Sequence, residues 1–363
     1  MESAIDTDRR GAPLSSTPGE APTVDVVVPA FNEERHIEAC IDGVLAQDYS
    51  AARLRLLLVD AGSTDSTLAL ANRRAADEER IVVVSGRGRL TTPEALNAGL
   101  EVSTAEIFAR VDAHGHPARD YISSAVEALQ AGGRQVVGVG GQPSFSGDSS
   151  FGRAFTLARS SRLGVGGSVY AAAGTREIVD TVPWGVYRRT ALEQVGGFDP
   201  AMNHGEDEEL NWRLKREGMN VMLDSAIRFE YVPRSSLGAV FRQYRDYGRA
   251  RVRVVAAHHD FLRARHLAPA VFVLLVAGLL AASPFSSAAR AGLIALAGAY
   301  VAAAAIGGAA AARHDGLKVA LQTAACFPAL HFGYGVGTLS GLAREAWNRA
   351  GFDRTRSLSF PSR

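Results

Sequence analysis

The sequence is short of cysteine: two in 363 residues, Cys40 and Cys326, far apart and in segments of different character. That pattern excludes a disulfide framework and a cysteine-type zinc site, and it suits a reducing compartment. An excess of one charge is also missing. Lys+Arg number 39 and Asp+Glu 38, a formal net charge of +1, so no global field selects nucleic acid or another polyanion. Residues 1–23 lack an apolar h-region. Asp6, Asp8, Arg9, Arg10 and a Ser/Thr/Pro/Gly cluster read instead as a disordered tail ahead of a cytosolic domain. No Gly-x-Gly-x-x-Gly loop follows the first apolar run. Pro29-Ala30-Phe31-Asn32-Glu33-Glu34 stands there, which argues against a Rossmann dehydrogenase.

Strand and helix patterns alternate through the first half. Val24 to Pro29, Leu54 to Val59, Ile81 to Val84 and Ile107 to Val111 are β-branched or apolar runs with the look of buried strands. Helical spacing follows at Ile37–Leu45, after Ser66, at Thr92–Leu100 with Pro93 at its start, and at Tyr121–Ala131. This alternation predicts an α/β fold, a mainly parallel sheet with helices on both faces. A strand at Gln135–Val139, a helix at Phe151–Arg162 in a Gly/Ser-rich span, and a strand-like piece at Val182–Tyr187 come next. A helix from Gly205 to Glu217, stopped by Gly218, precedes an expected hairpin of Met219–Leu223 and Ile227–Tyr231.

The fourth run closes on Arg110-Val111-Asp112-Ala113-His114. Ligands of open α/β sheets bind outside the carboxyl ends of strands. Asp112 and His114, one residue apart, can point the same way from extended backbone. Carboxylate oxygen and imidazole nitrogen suit Mn²⁺ or Mg²⁺ shared with a phosphate; the bland alternative is a loop Asp beside a solvated His. Acids recur at the other strand ends: Glu33 and Glu34, Asp60, and Glu206 and Asp207 at a helix start. Sugar transfer from a nucleotide diphosphate needs such a set. Asp60 is placed for the nucleobase, and Asp112 and His114 for a metal and the diphosphate. Asp207 is placed to take the acceptor proton, its pKa lifted by Glu206 beside it. Asp65 reads as a helix cap, Glu208 and Glu209 as a solvated helix start, and His116 and His204 as loop residues, with His204 also within sequence reach of the metal. Trp184 reads equally as core packing.

After Arg234 the character changes. Arg242, Arg245, Arg249, Arg251, Arg253, Arg263 and Arg265 interleave with Phe241, Tyr244, Tyr247, Val252, Val254 and Val255. Residues 233–266 thus resemble a basic amphipathic helix on an anionic membrane surface, or alternatively a nucleic-acid-binding helix. Three uncharged segments follow, Leu267–Ser283, Ala291–Ala312 and Val319–Leu342, close to the roughly 20 residues a bilayer requires. Buried helices of a soluble domain are the alternative. Arginines on both sides, including Arg344, Arg349, Arg354 and Arg356 in a basic tail 343–363, favour two crossings and one unusual segment within 267–342.

The strings VVVPAFNEERHIEACIDGVLAQDY, LLLVDAGSTDST, EALNAGL, RVDAHGH, GGFD and GEDEELNWRLKREG occur in that order. They resemble the inverting glycosyltransferases of family 2, with the GT-A fold, over roughly residues 24–232. RVDAH, DTVPWGVYRR, EDEELNWRLKREG and RQYRDYGRARV resemble more narrowly the membrane-bound succinoglycan-type glucosyltransferases, which extend a lipid-linked saccharide during exopolysaccharide assembly. By that resemblance Pro29, Asn32 and Glu33 form the first nucleotide loop and Asp60 contacts uracil. Asn97 and Gly99 lie near the diphosphate, and Arg110, Asp112 and Trp184 lie at the nucleotide sugar. Asp112 and His114 take the Asp-x-Asp position, and Asp207 is the base. Two departures stand out: Ala61 follows Asp60, and His114 replaces the second acid, which favours Mn²⁺ over Mg²⁺. The Gln-x-x-Arg-Trp motif of processive synthases is absent, with Arg242-Gln243-Tyr244-Arg245 at a similar place, which implies addition of one or a few sugars. The resemblance implies a multi-pass plasma-membrane enzyme with a cytoplasmic catalytic domain. Its implied partners are a UDP-hexose donor, a lipid-linked saccharide acceptor, membrane lipids and other polysaccharide-assembly enzymes, with no nucleic acid. The rival readings are a polyprenyl-phosphate glycosyltransferase and a catalytically inactive nucleotide-binding scaffold.

Overall fold

The structure is a computed structural model that describes residues 5–6, 20–86, 88–144, 149–164, 175–230 and 235–349. The chain divides into two compact units, Met1–Ser146 with Ser168–Tyr231, and Gly147–Gly167 with Val232–Arg363.

Among the described residues the first unit holds ten strands: β1 (Ile5–Asp6), β2 (Val24–Ala30), β3 (Leu54–Asp60), β4 (Ile81–Gly86), β5 (Ile107–Arg110), β6 (His116–Pro117), β7 (Val136–Ser144), β8 (Arg176–Val179), β9 (Val186–Arg188) and β10 (Asn220–Glu230). Its helices are α1 (Ile37–Leu45), α2 (Thr67–Asp77), α3 (Thr92–Val102), α4 (Tyr121–Ala131), α6 (Arg189–Gln194) and α7 (Glu206–Arg216), while α5 (Ser150–Ser160) belongs to the second unit. The sheet runs β1-β4-β3-β2-β5-β9-β7-β10-β6, with β8 also on β10. The four strands β4-β3-β2-β5 are parallel, as expected of continuous apolar runs buried on both faces. Beyond β5 the sheet is mixed: β9 is antiparallel to β5 and to β7, and β7 and β10 are parallel.

Alternation decides which helices cover which face. Val26 and Val28 pack with Ile37 and Ile41 of α1 and Tyr121 and Ile122 of α4. Val27 faces the other way, with Ala95 and Leu96 of α3, Leu192 of α6 and Leu210 of α7. The one acid within VDVVVP, Asp25, is fully buried. Its carboxylate accepts from Arg55 Nε and Nη2, Ser103 Oγ and the N–H groups of Thr104 and Ala105, so its burial is compensated.

Three elements differ from the sequence reading. The expected hairpin over 219–231 is one strand, β10, with register shifts between Leu223 and Arg228. Asp224 and Ser225 bulge rather than reverse the chain, because buried Asp224 accepts from Ala226 N–H and from Arg176 Nε of the neighbouring β8. Within the expected tail, Ile5 and Asp6 pair with Gly86 and Ser85, filling the open edge of β4. The remainder of 1–19 lies outside the described residues, as do Tyr231 and 350–363. The segment around α5 groups with the C-terminal unit and not with the sheet.

The second unit comprises α5, α8 (Leu237–Ala257), α9 (Ala264–Ala282), α10 (Ser287–Ala311) and α11 (Gly316–Arg349). The basic stretch therefore breaks at His258, where a 3₁₀ turn, His259–Phe261, separates α8 from α9. The third uncharged segment is part of one helix that runs through Pro328. A core of Phe155, Val240, Tyr244, Cys326, Phe327 and Leu330 joins α5, α8 and α11. Among the described residues one helix, α10, is long and apolar enough to cross a membrane, and the apolar stretch His266–Ala282 is shorter.

Candidate active site

The sheet brings the acidic loops to one edge, because Ala30 is in register with Asp60 and Val27 with Arg110. The loops after β2 and β3 are sewn together. Asn32 adopts a left-handed backbone, φ 55°, which Asn tolerates. Its Oδ1 accepts from Thr64 N–H at 2.8 Å, and its own N–H donates to Ser63 Oγ at 3.0 Å. Glu33 N–H donates to Thr67 Oγ1 at 2.8 Å. Asp65 accepts from the N–H and hydroxyl of Thr67, the helix-start role expected of it. Asp60 is 2% exposed, and its carboxylate accepts from the N–H groups of Gly62 and Ser63. Pro29 is half-buried at the end of β2.

Asn97 and Gly99, on α3, are engaged elsewhere. The Asn97 amide pairs both ways with Phe198: Nδ2 donates to the carbonyl at 2.7 Å and Oδ1 accepts from the N–H at 2.8 Å. A Cβ at Gly99 would collide with Val27 Cγ1, so this glycine lets α3 lie directly on β2.

Arg110 is the centre of the remaining residues. Its side chain is 8% exposed. Nε donates to Asp112 Oδ1 at 2.9 Å, and Nη1 donates to Glu206 Oε1 at 2.8 Å and Asp207 Oδ1 at 2.7 Å. The planar fork of guanidinium makes such multiple pairing possible. Burial alone would depress the Arg110 pKa, but Asp112, Asp207 and Glu206 hold it well above its ordinary value, so the cation is permanent. Burial raises the Asp112 carboxyl; Arg110, then His114 and the hydrogen bonds from Arg110 and Trp184, outweigh that and hold it below the usual range. Asp207 goes the other way. Burial pushes it up to about 7, Glu206 and Asp112 add to the rise, and Arg110 opposes it. Two carboxylates on one cation thus divide into a permanent anion and a group poised near neutrality, the division that a charge-binding residue and a base require.

Trp184 ties the cluster to the core. Its Nε1 donates to Asp112 Oδ2 at 2.9 Å, and its carbonyl accepts from Tyr121 Oη at 2.5 Å. The indole stacks on Phe229 with centroids 4.2 Å apart. Its φ of 47° is strained for a bulky residue, and such strain collects at functional sites. A Cβ at Gly115 would overlap the indole ring, so that glycine makes room for it. Tyr121, Phe229 and Gly115 escaped the sequence reading; the glycine between His114 and His116 was the one local sign. Cys40 Sγ lies 3.8 Å from the Asp112 carbonyl. Burial first, then Asp112 and Glu33, push its thiol up to about 12, so it is no nucleophile.

His114 is exposed, with Nδ1 at 3.1 Å from Glu33 Oε1. Among the described residues no three His, Cys, Asp or Glu side chains converge as a metal cluster. The donors present, Asp112, His114 and Glu33 on adjacent loops, have the oxygen and imidazole chemistry for a divalent ion whose other ligands come from a diphosphate. His204 is exposed.

The Asp207 environment predicts a pH dependence. If the carboxylate is the reactive form, kcat/KM rises with pH, with its midpoint near pH 7. Glu206→Gln removes a like charge and frees more of Arg110 for Asp207, so the midpoint moves to lower pH. A pH–rate profile of both proteins checks this, and an unmoved midpoint would separate Glu206 from the titration.

Comparison with known proteins gives this geometry a context. The family model of glycosyl transferase family 2 matches residues 25–196, and that of glycosyl transferase family 21 matches residues 165–334. The succinoglycan biosynthesis protein ExoA of Rhizobium meliloti is 31% identical over 258 residues, 71% of this chain and 77% of that protein. A dolichyl N-acetyl-alpha-D-glucosaminyl phosphate 3-beta-D-2,3-diacetamido-2,3-dideoxy-beta-D-glucuronosyltransferase of Methanococcus voltae is 26% identical, over 63% of this chain and 72% of that one. In fold, the chain is similar to the mannosyltransferase PcManGT of Pyrobaculum calidifontis, solved with GDP-Man and Mn²⁺. The TM-score is 0.63 at 21% identity, over 92% of this chain and 90% of that one. With sequence and fold in agreement, the chain belongs to glycosyl transferase family 2.

Proposed function

We propose that this glycosyltransferase moves a hexose, with inversion, from a UDP-sugar to a lipid-linked saccharide at the cytoplasmic face of the plasma membrane, in exopolysaccharide assembly. The single observation that carries the reading is the Arg110 cluster: one buried guanidinium holds an ionised Asp112 beside an Asp207 poised near neutrality. Asp207 takes the proton from the acceptor hydroxyl as it attacks the anomeric carbon, and Glu206 keeps the base from becoming too acidic. Pro29, Asn32, Glu33 and Asp60 line the nucleotide side, and Trp184, fixed by Asp112 and Tyr121, borders the sugar. Asp112 with His114 would hold a divalent ion, which when bound supplies charge neutralisation for the departing diphosphate. The names of the relatives support the acceptor class, one in succinoglycan biosynthesis and one acting on a dolichyl-phosphate-linked sugar. The fold neighbours solved with GDP-Man and with UDP-GlcNAc support a nucleotide-sugar donor. The apolar α10 supports anchoring in a membrane.

The test is a donor screen: membranes carrying the protein, Mn²⁺, a panel of radiolabelled nucleotide sugars, and a lipid extract as acceptor. Transfer to lipid-linked saccharide supports the reading; transfer to polyprenyl phosphate alone replaces it with the lipid-loading alternative; no transfer or hydrolysis of any donor overturns it. His114→Ala is expected to raise the Mn²⁺ concentration for half-maximal activity by about 10-fold or more. An unchanged metal titration would remove His114 from the site.

A further inference from the structure

The second unit exposes large apolar side chains along one hairpin. Val271, Leu274 and Leu280 on α9, Phe285 in the turn, and Ile294 and Ile306 on α10 are each more than half exposed. The two helices are antiparallel, with Phe272 stacked on Tyr300 at 5.1 Å and Gly292 facing Leu279. With 19 and 25 residues, they extend roughly 28 and 38 Å, against about 30 Å for a hydrocarbon core.

We propose that α9 and α10 cross a lipid bilayer as a helical hairpin and that α11 does not cross, so that the chain before α9 and the chain after α10 share one membrane face. This rests on the membrane-anchored reading above and adds its topology. Charge fixes the direction. Arg263, Arg265, Arg313 and Lys318 flank the base of the hairpin, whereas Arg290 stands alone at its tip. By the positive-inside rule the base is cytoplasmic. Arg290 also excludes a hairpin that stops halfway. It sits in the first turn of α10, its Nη1 donating to the Ser283 carbonyl at 2.9 Å, and a tip left in hydrocarbon would bury that charge among lipid tails. The tip therefore reaches the far interface.

The packing of α11 keeps it from crossing the bilayer. A Cβ at Gly333 would meet the Phe241 carbonyl, one at Gly337 the Arg245 carbonyl, and one at Gly341 the Arg249 Cα. The steps are four residues on both helices, so α8 runs parallel to α11 in direct backbone contact. Arg249 Nε donates to Ser340 Oγ at 3.0 Å and Arg251 Nε to Tyr334 Oη at 3.2 Å. If α11 crossed, it would draw α8, with Arg242, Arg245, Asp246, Arg249, Arg251 and Arg253, into hydrocarbon alongside it. At its other end, Arg153 of α5 donates to Asp315 at 2.7 Å. The charged helices α8 and α5 therefore accompany α11, as at a membrane–water interface, where its exposed Leu317 and Leu321 meet lipid and its His331 and Phe332 pack on Tyr300 and Phe272 of the hairpin.

Site-directed labelling reads the topology. Cys40 and Cys326, both buried, are replaced by alanine, and Phe285→Cys, His314→Cys or Glu345→Cys is introduced singly into the full chain. A membrane-impermeant maleimide is applied to right-side-out and inside-out vesicles. Position 285 is expected to label only in right-side-out vesicles, and positions 314 and 345 only in inside-out ones. Labelling of 314 and 345 from opposite faces would show that α11 crosses, and labelling of 285 from the same face as 314 would show that the hairpin does not; either overturns the topology and leaves anchoring intact. A chain that stays in the soluble fraction as a defined oligomer, without detergent, would make the apolar surface a self-interface and overturn the anchoring reading as well.

Discussion

Asp207→Asn is expected to lower kcat by about 10²–10⁴-fold, the usual contribution of a general base, with donor affinity little changed. The fold should survive the substitution. The folded pKa of Asp207 is about 7 and its ordinary value 3.8, so the folded state holds the proton more tightly than the unfolded chain does. The stability linked to that proton is complete below about pH 4 and is lost as pH rises through 7. At pH 8 the ionised carboxylate is thus a burden on the folded state, and an uncharged amide of the same shape removes it. Loss of transfer at an unchanged or raised thermal midpoint is the expected pair of results. Retained transfer would exclude Asp207 as the base.

The parts of this site that were legible in the sequence share a physical reason. Strands buried on both faces appear as unbroken apolar runs, and the candidate acids follow at their carboxyl ends, so VDVVVP, LLLVD and FARVD mark both the sheet and the candidate site. The acids of the GEDEE stretch are visible because they cluster at a helix start, where the dipole favours them. Less legible elements depend on distant partners. β8 has an exposed pattern with no period-two alternation and exists as a strand because β10 offers it an edge. The Asp224-Ser225 pair has turn composition, and it is the partners of buried Asp224, Ala226 N–H and the distant Arg176, that make it a bulge. That α5 groups with α11, over 150 residues away in sequence, follows from packing that no local pattern encodes. The same is true of Arg110. An arginine ending a buried strand signals a partner, but its carboxylates at 206 and 207 lie 96 and 97 residues away.

Arg110→Met tests that cluster most severely. The substitution keeps much of the volume and removes the only guanidinium facing Asp112, Glu206 and Asp207 in the described hydrogen bonds. Breaking a buried pair from one side costs about 3–5 kcal/mol because the remaining charges stay buried without compensation; for a unit of this size that lowers the thermal midpoint by roughly 6–20 °C. With the cation gone, the attraction that opposes the Asp207 rise disappears, so its pKa climbs further above 7 and any residual activity moves to alkaline pH. Arg110→Lys is expected to recover part of the stability, since one ammonium neutralises some of the charge, but little of the activity, because it cannot present the fork that holds Asp112 and Asp207 together. The double variant Arg110→Met with Glu206→Gln should lose less stability than the two losses combined, as one orphaned carboxylate is removed. Additive losses would mean that Arg110 and Glu206 act independently, and the three-carboxylate cluster would then be a crowd around the arginine and not a working unit.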